Sequence, residues 1–225
     1  MSNLKKKVVL LTGASRGIGR AIYLCLKKEG YILISPDRSE LNLLDNTSID
    51  EFIQKYHKER IDIIINNAGI NYPQWIEETT DQNISNTVQT NLIAPIKLIR
   101  GLVAGMKKRK WGRIINMSSA YGLLARGKQT LYVATKHGLN GVTKAVALEL
   151  AQYNILVNSI CPGFTKTELV MRNPKEKILQ IESDIPLGRL ADPKEIAELT
   201  HFLISDRNTY ITGSTVVIDG GFICK

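Results

Sequence analysis

The sequence predicts an α/β protein built on a doubly wound parallel sheet of about seven strands flanked by helices. Three observations carry this. Apolar, β-branched runs alternate with helical stretches along the 225 residues, the pattern of strand–helix–strand crossovers. Residues 61–65 read Ile-Asp-Ile-Ile-Ile, a near-continuous run suited to a strand covered on both faces. The apolar run 7–12 opens into Thr12-Gly13-Ala14-Ser15-Arg16-Gly17-Ile18-Gly19 and then a helical pattern through residue 29. A strand, a glycine-rich turn and a helix N-terminus make an anion site, because unpaired amides and the helix dipole converge there. With 44% hydrophobic residues, residues 1–225 can bury a large core as a single domain.

The elements follow in order. Gly13 permits a tight turn after the first strand, Gly17 close approach of a pyrophosphate, and Gly19 close packing of helix on strand. After Gly30 a second strand spans 31–35 and leads into Pro36-Asp37-Arg38. The next strand is expected at Leu41-Asn42-Leu43, too soon for a helical crossover, which needs a dozen or more residues. The helix after strand two is therefore expected to be missing or reduced, and the third strand short. The strand at 61–65 ends in Asn66-Asn67-Ala68-Gly69, small enough for a ribose to pass close by. A helical stretch covers 81–106, and Lys107-Lys108-Arg109-Lys110 suit its C-terminal end as solvated cations. The strand at 113–117 ends at Ser118-Ser119, beyond the carboxyl edge of the sheet where ligands of such folds bind. Helix 129–150, strand 155–160, a short helix near 175–182, a helix from about Pro193 and strand 215–218 complete the chain.

Two places suggest chemistry. In Tyr132-Val133-Ala134-Thr135-Lys136 the phenol and the amine lie four apart on a helix and share a face. Bringing a phenol from its reference pKa of about 10 to near 7 takes roughly 4 kcal/mol, which one ammonium at about 4 Å supplies at an effective dielectric of ~20. The spacing alone equally fits a half-buried Tyr beside a solvated Lys. In the 81–106 helix, Pro95 has no N–H to give the Asn91 carbonyl, and its ring pushes that carbonyl away. A kink is expected there, with Asn91 seeking another partner.

Taken together, residues 12–19, Asn66-Asn67-Ala68-Gly69, Asn91, Ser119, Tyr132 with Lys136, and Pro162-Gly163 followed by Thr167 resemble the short-chain dehydrogenase/reductase family over almost the full chain. Ser119 stands thirteen residues before Tyr132, as the family pattern asks. The resemblance implies a one-domain Rossmann enzyme moving a hydride between a nicotinamide cofactor and a carbonyl or alcohol, nearest in pattern to the 3-oxoacyl-carrier-protein reductase type. It also implies a cofactor-binding half over about 1–110 and a catalytic and substrate half over about 111–225. Tyr132 would be the general acid in reduction, Ser119 would polarise the substrate oxygen, Lys136 would lower the Tyr132 pKa and hold the nicotinamide ribose, and Asn91 would hold a relay water. Gly13, Ser15, Arg16, Gly17, Ile18 and Gly19 would surround the phosphates. Asp37, Arg38, Asn42, Leu43, Asn67, Ala68 and Gly69 would line the adenosine and ribose side. Pro162, Gly163, Thr165 and Thr167 would hold the carboxamide. The family's tetramer interfaces fall on helices 81–106 and 129–150 and strand 215–218, so a homotetramer or homodimer is implied.

Cofactor choice between NAD(H) and NADP(H) is close. Asp37 falls where the family's NAD-selecting acid sits and would repel a 2′-phosphate, whereas Arg16 and Arg38 occupy places where NADP-binding members carry cations. The balance leans to NAD(H). The span 165–192 is the expected substrate cover, with Leu169, Val170, Met171 and Ile178 as its apolar members. Arg126 and Lys128 near the cleft mouth suit an anionic or carrier-bound substrate. A sugar or polysaccharide-precursor oxidoreductase of the same family is the alternative, and a non-catalytic cofactor-binding regulator a further one.

The net charge of +9 is the only feature pointing to nucleic acid, and no nucleic-acid partner is expected. No apolar run approaches the ~20 residues of a membrane span, and the N-terminus lacks the apolar core of a secretory signal, so a cytoplasmic protein is expected. Cys25, Cys161 and Cys224 are scattered without metal-ligand spacing; free thiols and no metal site are expected.

Overall fold

The computed structural model describes residues 6–224. The N-terminal residues 1–5, part of the stretch read above as lacking a secretory signal, lie outside the described residues. Strands β1 (Val8–Leu11), β2 (Ile32–Ile34), β3 (Ile63–Asn66), β4 (Gly112–Met117), β5 (Ile155–Pro162) and β6 (Thr215–Ile218) form one parallel sheet in the order β2-β1-β3-β4-β5-β6. The chain runs outward from β1 to β2 and then crosses back to β3 on the other side. The carboxyl ends of β1 and β3 therefore flank the crevice where open α/β sheets bind ligands.

Alternation along the strands divides the core in two. Leu10, Ile64, Ile114 and Val157 face α2 (Asn46–Tyr56), α4 (Ala94–Arg109) and α5 (Thr130–Leu150), whose Phe52, Leu102 and Leu150 they bury. Val9, Leu11, Ile63, Ile65 and Ile115 face α1 (Gly17–Lys28) and α8 (Pro193–Ile204), against Ile22, Leu26, Ile196 and Leu203. A third, small cluster of Ile181, Ile185 and Leu190 gathers Phe164, Val170, Ile178 and Phe222 beyond the end of the sheet. It joins α6 (Glu168–Met171) and α7 (Lys175–Ser183) to the body.

The strand expected at Leu41-Asn42-Leu43 does not form, so the sheet has six strands among the described residues rather than seven. Only one helix, α2, lies between β2 and β3. The reason is local competition for the backbone: Asn42 N donates to Ser48 Oγ at 3.0 Å and Leu44 N donates to Asn42 Oδ1 at 3.2 Å. Leu41 turns into the core under α2 instead of pairing. Asp45 caps α2 by accepting from Thr47 N.

The kink expected from Pro95 appears as a π-helical turn over Gln89–Ile93, between α3 (Asp81–Val88) and α4. A wider turn absorbs the ring that an α-helical turn would clash with.

Of the four cations ending α4, Arg109 is not merely solvated. Its Nε lies 3.2 Å from Asp62, which also pairs with Arg60 at 2.8 Å and accepts from Val8 N at 3.0 Å. Asp62 is buried, so removing its carboxylate orphans the Val8 amide and breaks the ion pairs to Arg60 and Arg109, the latter keeping its bond to the Ile61 carbonyl. Asp62→Ala is expected to cost about 2–3 kcal/mol, since the arginines remain partly wet. Urea unfolding would show this as a lower midpoint at unchanged m-value.

Candidate active site

The turn after β1 is built by contacts that a larger residue would break. Gly13 (φ +70°) has Ala68 Cα only 2.9 Å from where a Cβ would stand, and a Cβ on Gly19 would run into the Gly13 carbonyl. Thr12 Oγ1 accepts from both Asn67 N and Ala68 N at 3.1 Å, and Asn67 Nδ2 donates to the carbonyls of Thr12 and Gly13 at 3.0 Å. The ends of β1 and β3 are thus clamped together. Arg16, at the α1 N-cap, offers no side-chain cap, and the first turn has no acidic residue. The leading amides and the positive end of the dipole are left for an anion.

On the other side of the crevice α5 is seated by a buried polar chain. Asn66 Nδ2 donates to Asn116 Oδ1 at 2.9 Å, Asn116 Nδ2 to Thr143 Oγ1 at 2.9 Å, and Thr143 shares a 2.7 Å bond with Ser159. This chain crosses β3, β4, α5 and β5 and holds the helix that carries Tyr132 and Lys136. Its members are ordinary polar residues within apolar strands, and only their place on one face marks them.

Lys136 is buried, with Nζ donating to the Met117 carbonyl at 2.7 Å and lying 5.5 Å from the Tyr132 ring centre. Burial lowers its pKa to about 8. Burial also pushes the Tyr132 hydroxyl above its ordinary value, while hydrogen bonding to Ser119 pulls it partly back. Desolvation thus works against the lowering expected from the helix spacing, and the Lys136 ammonium is held against the Met117 carbonyl. Ser118 Oγ donates to the Lys136 carbonyl at 3.2 Å, which commits it to the helix, whereas Ser119 stands at the Tyr132 hydroxyl.

Asn91 lies behind the two cavities at the crevice and lines neither. Its Oδ1 accepts from Ile70 N at 2.9 Å, and its Nδ2 donates to the Ile70 carbonyl at 2.9 Å and to Thr135 Oγ1 at 3.3 Å. It pins the Gly69–Ile70 backbone to α5 from behind. A Cβ on Gly69 would sit 3.3 Å from Asn91 Oδ1 and 3.6 Å from Lys136 Nζ, so the missing side chain leaves space beside the ammonium.

Two cavities meet along residues 67–70. One of about 320 Å³ is lined by Ser119, Tyr132, Lys136, Ile18, Asn67, Gly69, Pro162, Gly163, Thr165 and Thr167. Its far wall is apolar: Tyr121, Phe164, Leu169, Val170 and Phe222. Leu169 and Val170 thus face it as expected of the cover, whereas Met171 is exposed and Ile178 packs in the third cluster. The other cavity, about 510 Å³, is lined by Gly13, Ser15, Asp37, Arg38, Asn42, Leu43 and Ala68, together with Arg20, Tyr23 and Thr90. Arg16 and Gly17 lie instead along a groove between α1 and α8. Asp37 Oδ1 accepts from Ser39 N, Ser39 Oγ and Glu40 N, and these bonds hold its carboxyl below the usual range.

A dinucleotide fits these residues. Uncapped amides face the phosphate position, glycines stand where a Cβ would close the space, and among the described residues the buried Thr90 Oγ1 at the second cavity has no hydrogen-bond partner. Arg20, Tyr23 and Thr90 were not anticipated; Arg20 and Tyr23 share the α1 face that follows the glycine turn, a helical spacing that points to them.

Comparison with known proteins agrees with this geometry. The family model described as enoyl-(acyl carrier protein) reductase matches residues 39–223. The chain is 36% identical over 239 residues to 3-oxoacyl-acyl-carrier-protein reductase FabG of Vibrio harveyi, covering 97% of this chain and 98% of that protein. It belongs to the short-chain dehydrogenase/reductase family. FabG of Escherichia coli strain K12 is 35% identical at the same coverage. Among solved short-chain dehydrogenase/reductase structures, 4-hydroxyisoleucine dehydrogenase complexed with NADH superposes with a TM-score of 0.93 at 30% identity, over 98% of this chain and 100% of that one. ElxO with NADP bound gives 0.90 at 29% identity, with the same coverage. This short-chain dehydrogenase/reductase is an NAD(P)-dependent oxidoreductase acting on a small-molecule CH–OH or carbonyl group. Among the described residues no helix is long and apolar enough to cross a membrane.

Proposed function

We propose that the protein reduces a 3-oxoacyl thioester to the 3-hydroxyacyl thioester at the Ser119–Tyr132–Lys136 cavity. The observation that carries this is the composition of that cavity: a hydroxyl pair and a buried ammonium on one wall, and an apolar wall of Phe164, Leu169, Val170 and Phe222 opposite, suited to an acyl chain. The FabG relatives, matched over almost their whole length, carry that activity in their name. Bound NAD(P)H supplies the hydride. Tyr132 donates its proton to the substrate oxygen, and Ser119 donates a hydrogen bond to the same oxygen and holds it in place. A phenol kept protonated by burial is in the right state for this direction. Lys136 places a positive charge beside the phenolate that forms, and Asn91 holds the Ile70 backbone that shapes the ribose side. Arg126, donating to Tyr121 Oη at 2.6 Å at the cavity mouth, meets an anionic carrier or coenzyme group. A panel of acetoacetyl thioesters, small secondary alcohols and nucleotide sugars with both cofactors tests the reading. Turnover of sugars in preference to the thioesters refutes it.

The cofactor is NAD(H) in this reading. Asp37 stays ionised at neutral pH on the wall of the adenosine cavity, and Arg16, one of the two candidate partners for a 2′-phosphate, is directed into the α1–α8 groove. Asp37→Ala is expected to raise NADPH-dependent kcat/KM relative to NADH by about tenfold, the scale of one screened charge pair. An unchanged ratio, or a native preference for NADPH, overturns the choice.

The subunits assemble through α5 and β6. Leu148 on α5 is 82% exposed and Val217 on β6 is 36% exposed, apolar surface that a partner would cover. Light scattering is expected to give a tetramer or dimer at micromolar concentration.

A further inference from the structure

Away from the crevice, α1 and α8 bring together three side chains of metal-ligand type. Glu198 and His201 are one turn apart on α8, so they project from the same face. Cys25 reaches them from α1, although it is 173 residues distant from Glu198 in the chain. Its thiol lies 3.8 Å from Glu198 Oε1, and the ligand atoms of all three residues lie within 4.8 Å of one another. A tetrahedral zinc ion with bonds of about 2.0–2.3 Å asks for ligand separations of roughly 3.3–3.8 Å. Small rotations of the exposed Glu198 and the half-buried Cys25 close that difference, because the backbones are already fixed by the packing of Ile22 and Leu26 on Ile196 and Ala197. The His201 ring is held edge-on by Tyr31, with centres 5.8 Å apart.

We propose that Cys25, Glu198 and His201 form a binding site for a soft divalent cation, Zn²⁺ foremost, with solvent as the fourth ligand. Thiolate and imidazole select zinc over magnesium or calcium, and the thiolate and carboxylate together neutralise a dication. Burial and the neighbouring Glu198 and Glu29 raise the free Cys25 thiol to about 11. It is therefore a poor redox or nucleophilic thiol by itself, and binding releases its proton to solvent. The spacing of the cysteines along the chain gives no sign of this grouping, since its members meet only through the fold.

The location gives the site a consequence. A groove of about 760 Å³ runs between α1 and α8 from Arg16 and Gly17 at the cofactor turn to Cys25 and Glu198. A metal at its far end ties the helix that begins at the phosphate-binding turn to α8. Occupancy is expected to stiffen that turn.

Calorimetric titration of the full-length chain with Zn²⁺, and absorption spectroscopy with Co²⁺, test the site. One ion per chain, a thiolate-to-cobalt charge-transfer band and a thermal midpoint raised by about 5–10 °C at a hundredfold excess over Kd are expected. Cys25→Ser and His201→Gln should each weaken binding by at least about tenfold and remove or shift the band. Both should keep native circular dichroism and NAD(P)H binding, and Cys224→Ser should bind as the native chain does. Absence of the band, its survival in Cys25→Ser, or its loss in Cys224→Ser overturns the proposal.

Discussion

Tyr132→Phe is expected to abolish measurable turnover while leaving cofactor affinity within a few-fold of the native value. The substitution deletes one oxygen and keeps the ring, so the packing of α5 against the cavity is unchanged. What is lost is the proton donor: a positioned general acid contributes about 10²–10⁴-fold, and no second hydroxyl takes its place. Ser119 caps the following turn by accepting from Tyr121 N at 3.2 Å, and Ser118 is tied to the Lys136 carbonyl. Steady-state rates with a carbonyl substrate, beside a fluorescence titration with the reduced cofactor, separate the two effects. Turnover above about one-tenth of native would remove Tyr132 from the role, and a collapse of cofactor affinity would make it a binding residue.

Lys136→Met is expected to stabilise the fold while destroying activity. The folded pKa of about 8 lies below the ordinary lysine value of 10.5. Between those two values the unfolded chain binds more protons than the native one, so stability rises with pH across the interval. Below pH 8 the full cost of the buried charge is present, about 3 kcal/mol for such a shift. Methionine removes that cost at nearly the same volume and forfeits the bond to the Met117 carbonyl, worth about 1 kcal/mol. The net is about 2 kcal/mol, or roughly 4–8 °C in thermal midpoint at pH 7. The advantage should shrink as pH rises from 8 towards 10.5. A variant less stable than native at pH 7 would mean that the ammonium supports the fold. Restored activity would mean that Lys136 is dispensable.

Much of this was legible in the chain. The glycine turn and α1 could be read because their signals are local: strand apolarity, helical period and glycine spacing lie within about 25 consecutive residues. Pro95 announced a backbone defect, and the π turn at Gln89–Ile93 is that defect. Other features were hidden. Residues 41–43 alternate like a strand, yet Asn42 donates its backbone N–H to Ser48 Oγ and accepts from Leu44 N at its side-chain Oδ1, which makes a turn instead. Asn91 drew notice for the backbone carbonyl that Pro95 frees, whereas its side-chain amide is bonded at both ends to Ile70, a partner that only the approach of β3 and the π turn supplies. Arg16 and Arg38 look alike in sequence, and they face different grooves because one stands at the N-terminus of α1 and the other follows β2.

By itself the sequence indicated the alternation of strands and helices, the glycine-rich turn after β1 and the shared helix face of Tyr132 and Lys136, since each is a pattern within a short stretch of chain. The tertiary structure decided how Ser118 is tied back to the Lys136 carbonyl, the desolvation that Tyr132 meets, the six-stranded sheet among the described residues and the meeting of Cys25 with Glu198 and His201. Those outcomes rest on desolvation and on contacts between elements far apart in the chain, and neither is encoded in any local window.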